Sequence, residues 1–188
     1  MEFITPEYLE QNKALHKTRK DFGASSAHWA TTVKELCERL DTIDVLDYGC
    51  GKGKLAANLP FHIHQYDPAI VKHSKEPKPA DIVVCTDVME HIEPECLISV
   101  LKHLKSLTKK ACFFAIATRP AKKHLPDGRN AHLIIQNANW WTVILSEYFD
   151  IQMMQNKQGE VVLLCMCNEE KSYEEEQEPD KLGIIIKD

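Results

Sequence analysis

Residues 43 to 55 read Ile-Asp-Val-Leu-Asp-Tyr-Gly-Cys-Gly-Lys-Gly-Lys-Leu, IDVLDYGCGKGKL. Ile43, Val45 and Leu46 make a short apolar strand, which passes through Asp47 into Gly49, Gly51 and Gly53, each separated by one residue. Glycine lets the backbone turn sharply and approach a ligand where any Cβ would collide. A helix is expected next, running through Leu55, Ala56 and Leu59 to Pro60, with its first backbone N–H groups facing whatever lies over the glycines. The spacing from Asp47 is DxGxGxG, but Gly51, Gly53 and Ala56 also fit the GxGxxA form of a dinucleotide fingerprint. The glycines alone therefore leave the cofactor open.

Two further stretches narrow it. Asp67 closes a strand-like run, FHIHQYD, 20 positions after Asp47, where an acidic residue at a strand end can accept both hydroxyls of a ribose. The run DIVVCTDVMEH then occupies residues 81 to 91. Taken in this order, the three stretches resemble the class I S-adenosylmethionine-dependent methyltransferases, with a VLDxGCGxGxL motif at the first strand, an acidic end to the second, and an EH pair after a later acidic position. The resemblance covers roughly residues 43 to 167 and implies a Rossmann-like α/β fold, mostly parallel with an antiparallel C-terminal hairpin and helices on both faces. It implies S-adenosylmethionine as cofactor, bound by Asp47, Gly49, Gly51, Gly53 and Asp67, with Asp87 as a further contact. Ligands of open parallel sheets bind beyond the carboxyl ends of the strands, so Glu90 and His91 fall beside the methyl donor. Either can take a proton from a substrate hydroxyl, a task suited to a histidine titrating near neutrality.

The interval from Pro68 to Ala80 departs from that family. It has 13 residues and includes Pro68, Pro77 and Pro79, too few for the helix, third strand and adenine-contacting loop usual there. A reduced sheet edge is expected, with no residue assigned to adenine.

The rest of the chain fits one domain over residues 1–167, with an N-terminal helical segment (1–42) before the Rossmann-like core (43–167). Helices are expected over residues 6–20 and 26–40, the second with Trp29, Val33, Leu36 and Leu40 on one face. His28 and Trp29 are weighed as pocket residues against simple packing, and Phe22-Gly23 as the break between the helices. A strand at 81–86 precedes a helix at 94–107 whose inner face carries Leu97, Val100, Leu101, Leu104 and Leu107. A strand at 111–118 leads into RPAKKHLPDGRNAHL, which holds Arg119, Lys122, Lys123, His124, Arg129 and His132 against one acid, Asp127. A loop of this length is usually functional. Its charge suits an anionic small-molecule acceptor, with Arg119 and Arg129 as bidentate groups and His132 beside them. Trp140 to Phe149 reads as a helix with one tryptophan packed and the other walling the pocket, and a hairpin around Lys157-Gln158-Gly159 ends the domain.

Composition supports a globular protein of the cytoplasm. Of 188 residues, 44 % are hydrophobic and 27 % charged, with no apolar run near the ~20 residues that cross a bilayer and no signal-peptide core at the N-terminus. Seven cysteines form no CxxC pair, which fits reduced thiols better than disulfides or zinc. The net charge of −5 resides in residues 169–188, where eight acids meet three bases. That segment reads as a disordered acidic tail (168–188), and the body is neutral, which disfavours a nucleic-acid partner.

A methyl on a sulfonium is already electrophilic, so the resemblance requires alignment of the acceptor, at oxygen or nitrogen, and no metal. A second resemblance points elsewhere. Asp87, Glu90, His91 and His132 are similar to the Glu/Glu/His/His constellation with which small-RNA 3′-terminal 2′-O-methyltransferases hold Mg²⁺ or Mn²⁺, although Asp87 replaces a glutamate. An NAD-dependent oxidoreductase would share the glycine loop but needs a second domain or a Tyr-x-x-x-Lys pair, which the sequence lacks. A non-catalytic methyltransferase-like subunit fits the short 68–80 interval, yet the complete glycine loop and Asp67 argue against it.

Overall fold

A computed structural model describes residues 2–18 and 25–167. The proposed tail at 168–188 and the break at Phe22-Gly23 lie outside the described residues. Six strands form one sheet: β1 (Val45–Tyr48), β2 (His64–Tyr66), β3 (Ala80–Thr86), β4 (Thr108–Ala117), β5 (Asp150–Lys157) and β6 (Glu160–Met166). Their order is β2-β1-β3-β4-β6-β5, parallel across the first four and antiparallel at β4-β6 and β6-β5. This is the expected Rossmann-like sheet with its C-terminal hairpin.

Strand burial follows position. All four residues of β1 are buried, as a central parallel strand covered on both faces demands, whereas edge strand β5 is mostly exposed. One face of the sheet packs on α4 (Leu97–Leu107) and α5 (Ala138–Ser146), the other on α2 (Ala30–Leu40). α4 buries Leu97, Val100, Leu101, Leu104 and Leu107, the stripe its 3.6-residue period predicts. On the opposite face, Trp29 lies edge-on to Phe113 with ring centroids 5.2 Å apart. Trp29 is thus a packing residue. Of the tryptophans of α5, Trp141 is fully buried, the packed residue expected, while Trp140 also packs against the core and does not line the cavity at the strand ends, where one tryptophan was expected.

Two further departures have local causes. The helix after the glycines, α3 (Lys54–Ala57), is one turn long and stops short of Pro60, because the Asn58 side chain donates to the Lys54 carbonyl and competes with the helical ladder. β4 begins at Thr108 instead of 111. Its polar start, Lys109 and Lys110, pairs with Asp44 and Asp81 at the amino ends of β1 and β3. Between β2 and β3 there is only a single 3₁₀ turn, Val71–His73, so the sheet edge is reduced as expected and β2 is outermost. No helix among the described residues is long and apolar enough to cross a membrane.

Candidate active site

The carboxyl ends of β1, β2, β3 and β4 converge on a cavity of about 470 Å³, the size of one small ligand. Gly49 and Cys50 N–H both donate to the Tyr66 carbonyl at 2.8 and 3.0 Å, pinning the glycine loop to the end of β2. Gly49 has φ +76°, and a Cβ there would lie 2.3 Å from Cγ2 of Val88, so only glycine fits between this turn and the loop after β3. Asp67 is fixed from two sides: Oδ2 accepts from Gly51 N–H at 3.0 Å and Oδ1 from Ala69 N–H at 2.9 Å. Asp47 lies beneath the loop, 1 % exposed, with Oδ2 unpartnered, and burial followed by the Asp67 charge raises its pKa to about 7. Gly49, Gly51, Asp67 and Asp87 line the cavity, and Asp47 and Gly53 do not.

The turn after β3 gathers the acid–base groups. Asp87 takes a left-handed conformation, φ +53°, which costs a non-glycine residue about 1–3 kcal/mol and marks a position held by its surroundings. Glu90 is fully buried. Its Oε1 accepts from Ala117 N–H at 3.0 Å, its Oε2 has no partner, and burial followed by Asp87 lifts its pKa to about 8. It therefore ties the turn to β4 and does not cap α4. His91 Nδ1 lies 2.5 Å from the Ala131 carbonyl, and His132 Nδ1 2.6 Å from the Arg119 carbonyl. A carbonyl only accepts, so each Nδ1 carries the proton and each neutral ring offers Nε2 as a lone pair. The rings stand nearly perpendicular, centroids 4.9 Å apart. One ligand atom from each of Glu90, His91 and His132 lies within 4.8 Å of the others. Burial followed by the neighbouring His132 lowers the His91 pKa to about 4, and burial lowers that of His132 too.

His132 reaches this cluster because the loop after β4 is internally folded. The Asn130 side chain accepts from the Ala121 and His132 N–H groups and donates to the Ala121 carbonyl, each at 2.9 Å. Arg119, Lys122 and Lys123 line the cavity beside it. Arg129 does not: its Nε and Nη2 bind Asp127 Oδ2 at 2.9 and 2.8 Å, and its guanidinium lies 5.7 Å over the Tyr8 ring. The structure thus brings Arg119 and His132 to the cavity and turns Arg129 toward the N-terminal helix, α1 (Pro6–Thr18).

Sequence reasoning missed α1 as a wall. Tyr8, Asn12 and His16 line the cavity, and their four-residue spacing was the available signal. Thr5 fastens the helix, donating from its N–H and Oγ1 to the buried Glu93 carboxylate at 2.8 and 2.7 Å. His28, weighed as a pocket residue, is not on the cavity wall.

The parallel sheet with its antiparallel ending, and a glycine loop facing a fixed strand-end acid across one cavity, define a class I S-adenosylmethionine-dependent methyltransferase. A family model described as "Methyltransferase domain" matches residues 19–158, and the chain belongs to that family. Among solved structures, the chain resembles the Burkholderia thailandensis 1,6-didemethyltoxoflavin-N1-methyltransferase, crystallised with its substrate and S-adenosylhomocysteine, at 13 % identity and TM-score 0.60, covering 89 % of this chain and 92 % of that one. DhpI in complex with SAH matches at 14 % identity and TM-score 0.56, over 84 % and 95 % of the two chains. The magnesium protoporphyrin IX methyltransferase of Synechocystis PCC 6803 with bound SAH matches at 15 % identity and TM-score 0.51, over 87 % and 95 %. No curated protein sequence matches significantly.

Proposed function

We propose that the chain transfers the methyl group of S-adenosylmethionine to a hydroxyl oxygen of an anionic acceptor, at a divalent-cation centre formed by Glu90, His91 and His132. One observation carries this reading: three ligand atoms lie within 4.8 Å of one another, and two of the residues that offer them, His91 and His132, line the cavity. Both imidazoles are held through Nδ1, which orients metal-binding histidines elsewhere, and the unpartnered Glu90 Oε2 is the charge such an ion needs.

In this arrangement Asp67 receives the cofactor ribose, Gly49 and Gly51 allow its close approach, and Asp87 borders the methyl donor. Arg119, Lys122 and Lys123 draw the anionic part of the acceptor to the mouth. A bound divalent cation supplies Lewis acidity to an acceptor oxygen, the effect that lowers the pKa of bound water from 15.7 to about 7. The same turn without a cation leaves His91 as proton acceptor, which is the simpler reading. Its depressed pKa of about 4 makes it a weak base toward an alcohol, and this favours the metal-assisted reading.

The test is Mn²⁺ binding followed by electron paramagnetic resonance, with and without S-adenosylhomocysteine, beside methyl transfer from labelled S-adenosylmethionine to a panel of anionic alcohols. Saturable Mn²⁺ binding lost in Glu90→Gln and His132→Ala, with transfer abolished by EDTA, is expected. Transfer that survives EDTA unchanged supports the metal-free reading with His91 as base. Absence of Mn²⁺ binding in the native protein overturns the metal centre.

A further inference from the structure

We propose that His16 is a cofactor-binding residue that closes over the ribose of S-adenosylmethionine from outside the sheet, opposite Asp67. The inference rests on Asp67 as the ribose acceptor in the function proposed above. Helix α1 turns Tyr8, Asn12 and His16 toward the cavity. Its N-terminus is fastened through Thr5 to Glu93, and its middle through Gln11 to Asp127 at 3.0 Å. At the far end, His16 Nε2 stands 3.9 Å from Asp67 Oδ2, the two side chains only 11 % and 10 % exposed.

That separation is too long for a hydrogen bond. An oxygen lying off the line that joins them, on the cavity side, can stand about 2.8 Å from each end. The polarity of the gap restricts that group. Asp67 is held in place by the Gly51 and Ala69 amides and its carboxylate accepts; with the proton of His16 on Nε2, the occupant donates on one side and accepts on the other. A hydroxyl or a water molecule does both, and of the two only the hydroxyl is carried in by the cofactor; an amide N–H or a carbonyl does one. A ribose hydroxyl bridging Asp67 and His16 would join α1 to the sheet through the cofactor. Because α1 also holds Asp127 in the loop that carries His132, one helix spans the donor and acceptor sides of the cavity.

The experiment is calorimetric titration of native protein, His16→Ala, His16→Gln and Asp67→Ala with S-adenosylhomocysteine and its 2′-deoxy and 3′-deoxy analogues, with thermal melts as a check on folding. His16→Ala is expected to weaken S-adenosylhomocysteine about five- to tenfold, the worth of one hydrogen bond, and His16→Gln to recover part of the loss through its amide N–H. One deoxy analogue should bind the native protein more weakly still, because it loses the bonds to both Asp67 and His16, and its penalty should shrink in His16→Ala, where the bond to His16 is already gone. Equal affinity of His16→Ala and native protein overturns the proposal, as do losses that multiply for both analogues. Asp67→Ala separates the two readings. If it abolishes binding while His16→Ala is silent, only the role of His16 falls; if it binds unchanged, the proposed cofactor site falls with it.

Discussion

Asp47 is ionised at a cost. Its pKa rises from 3.8 to about 7 through burial and then through the Asp67 charge, so the folded protein holds that proton more tightly than the unfolded chain does. The contribution to stability is present below about pH 4 and is lost as pH climbs through 7. Asp47→Asn removes the ionisable group, and its melting temperature should exceed that of native protein by several degrees at pH 8 while matching it near pH 4, as differential scanning fluorimetry at stepped pH will read. Glycine positions divide in a comparable way. Gly49 and Gly53 both have positive φ, but a Cβ at Gly49 meets branched Val88 in the wall, whereas one at Gly53 meets the terminal amide of Gln65 at 2.5 Å. Gly49→Ala should therefore lower the melting temperature and S-adenosylhomocysteine affinity well beyond Gly53→Ala, because a flexible side-chain end moves aside at little cost.

At the scale of elements, the motif around Asp47 and the inner stripe of α4 were legible because the residues that define them are neighbours in sequence. The wall made by α1 was not. Its fastening crosses 88 positions from Thr5 to Glu93 and 116 from Gln11 to Asp127, and no local pattern encodes such a contact. Arg129 is the opposite case: its partner Asp127 is two residues away, so the pairing that turns the guanidinium from the cavity had a local signal in the loop's one acid. The shortness of α3 did have a local signal in Asn58, whose side chain competes for a helical carbonyl. The Thr5–Glu93 bonds are charge-assisted and join an acid to a helix N-terminus, each worth about 1–3 kcal/mol. Glu93→Gln should thus loosen α1 selectively: hydrogen exchange is expected to accelerate at the amides of Leu9 to Leu15 while those of β1 and β3 keep their protection.

Across the whole molecule, the two ends of the sheet do different work. The carboxyl ends carry the cavity, and the amino ends carry the ion pairs of Asp44 and Asp81 with Lys109 and Lys110. Those lysines are 49 % and 43 % exposed, so screening holds each pair to at most about 1 kcal/mol. Lys110→Ala should change the melting temperature by no more than a few degrees, mostly at low salt, and leave S-adenosylhomocysteine affinity untouched. The loop after β4 divides its labour just as cleanly. Asn130 fixes Ala121 and His132, and the carbonyls of Arg119 and Ala131 orient the two imidazoles, whereas Lys122 and Lys123 contribute side chains to the mouth. In the function proposed above, the residues between Ala121 and Arg129 would choose the clientele, but they are not free to drift. The Lys123 carbonyl accepts from Ala131 N–H and Asp127 accepts from Gln11 of α1, so a lineage, or an engineer, that rewrites this interval must keep those two anchors or disturb the imidazoles beneath.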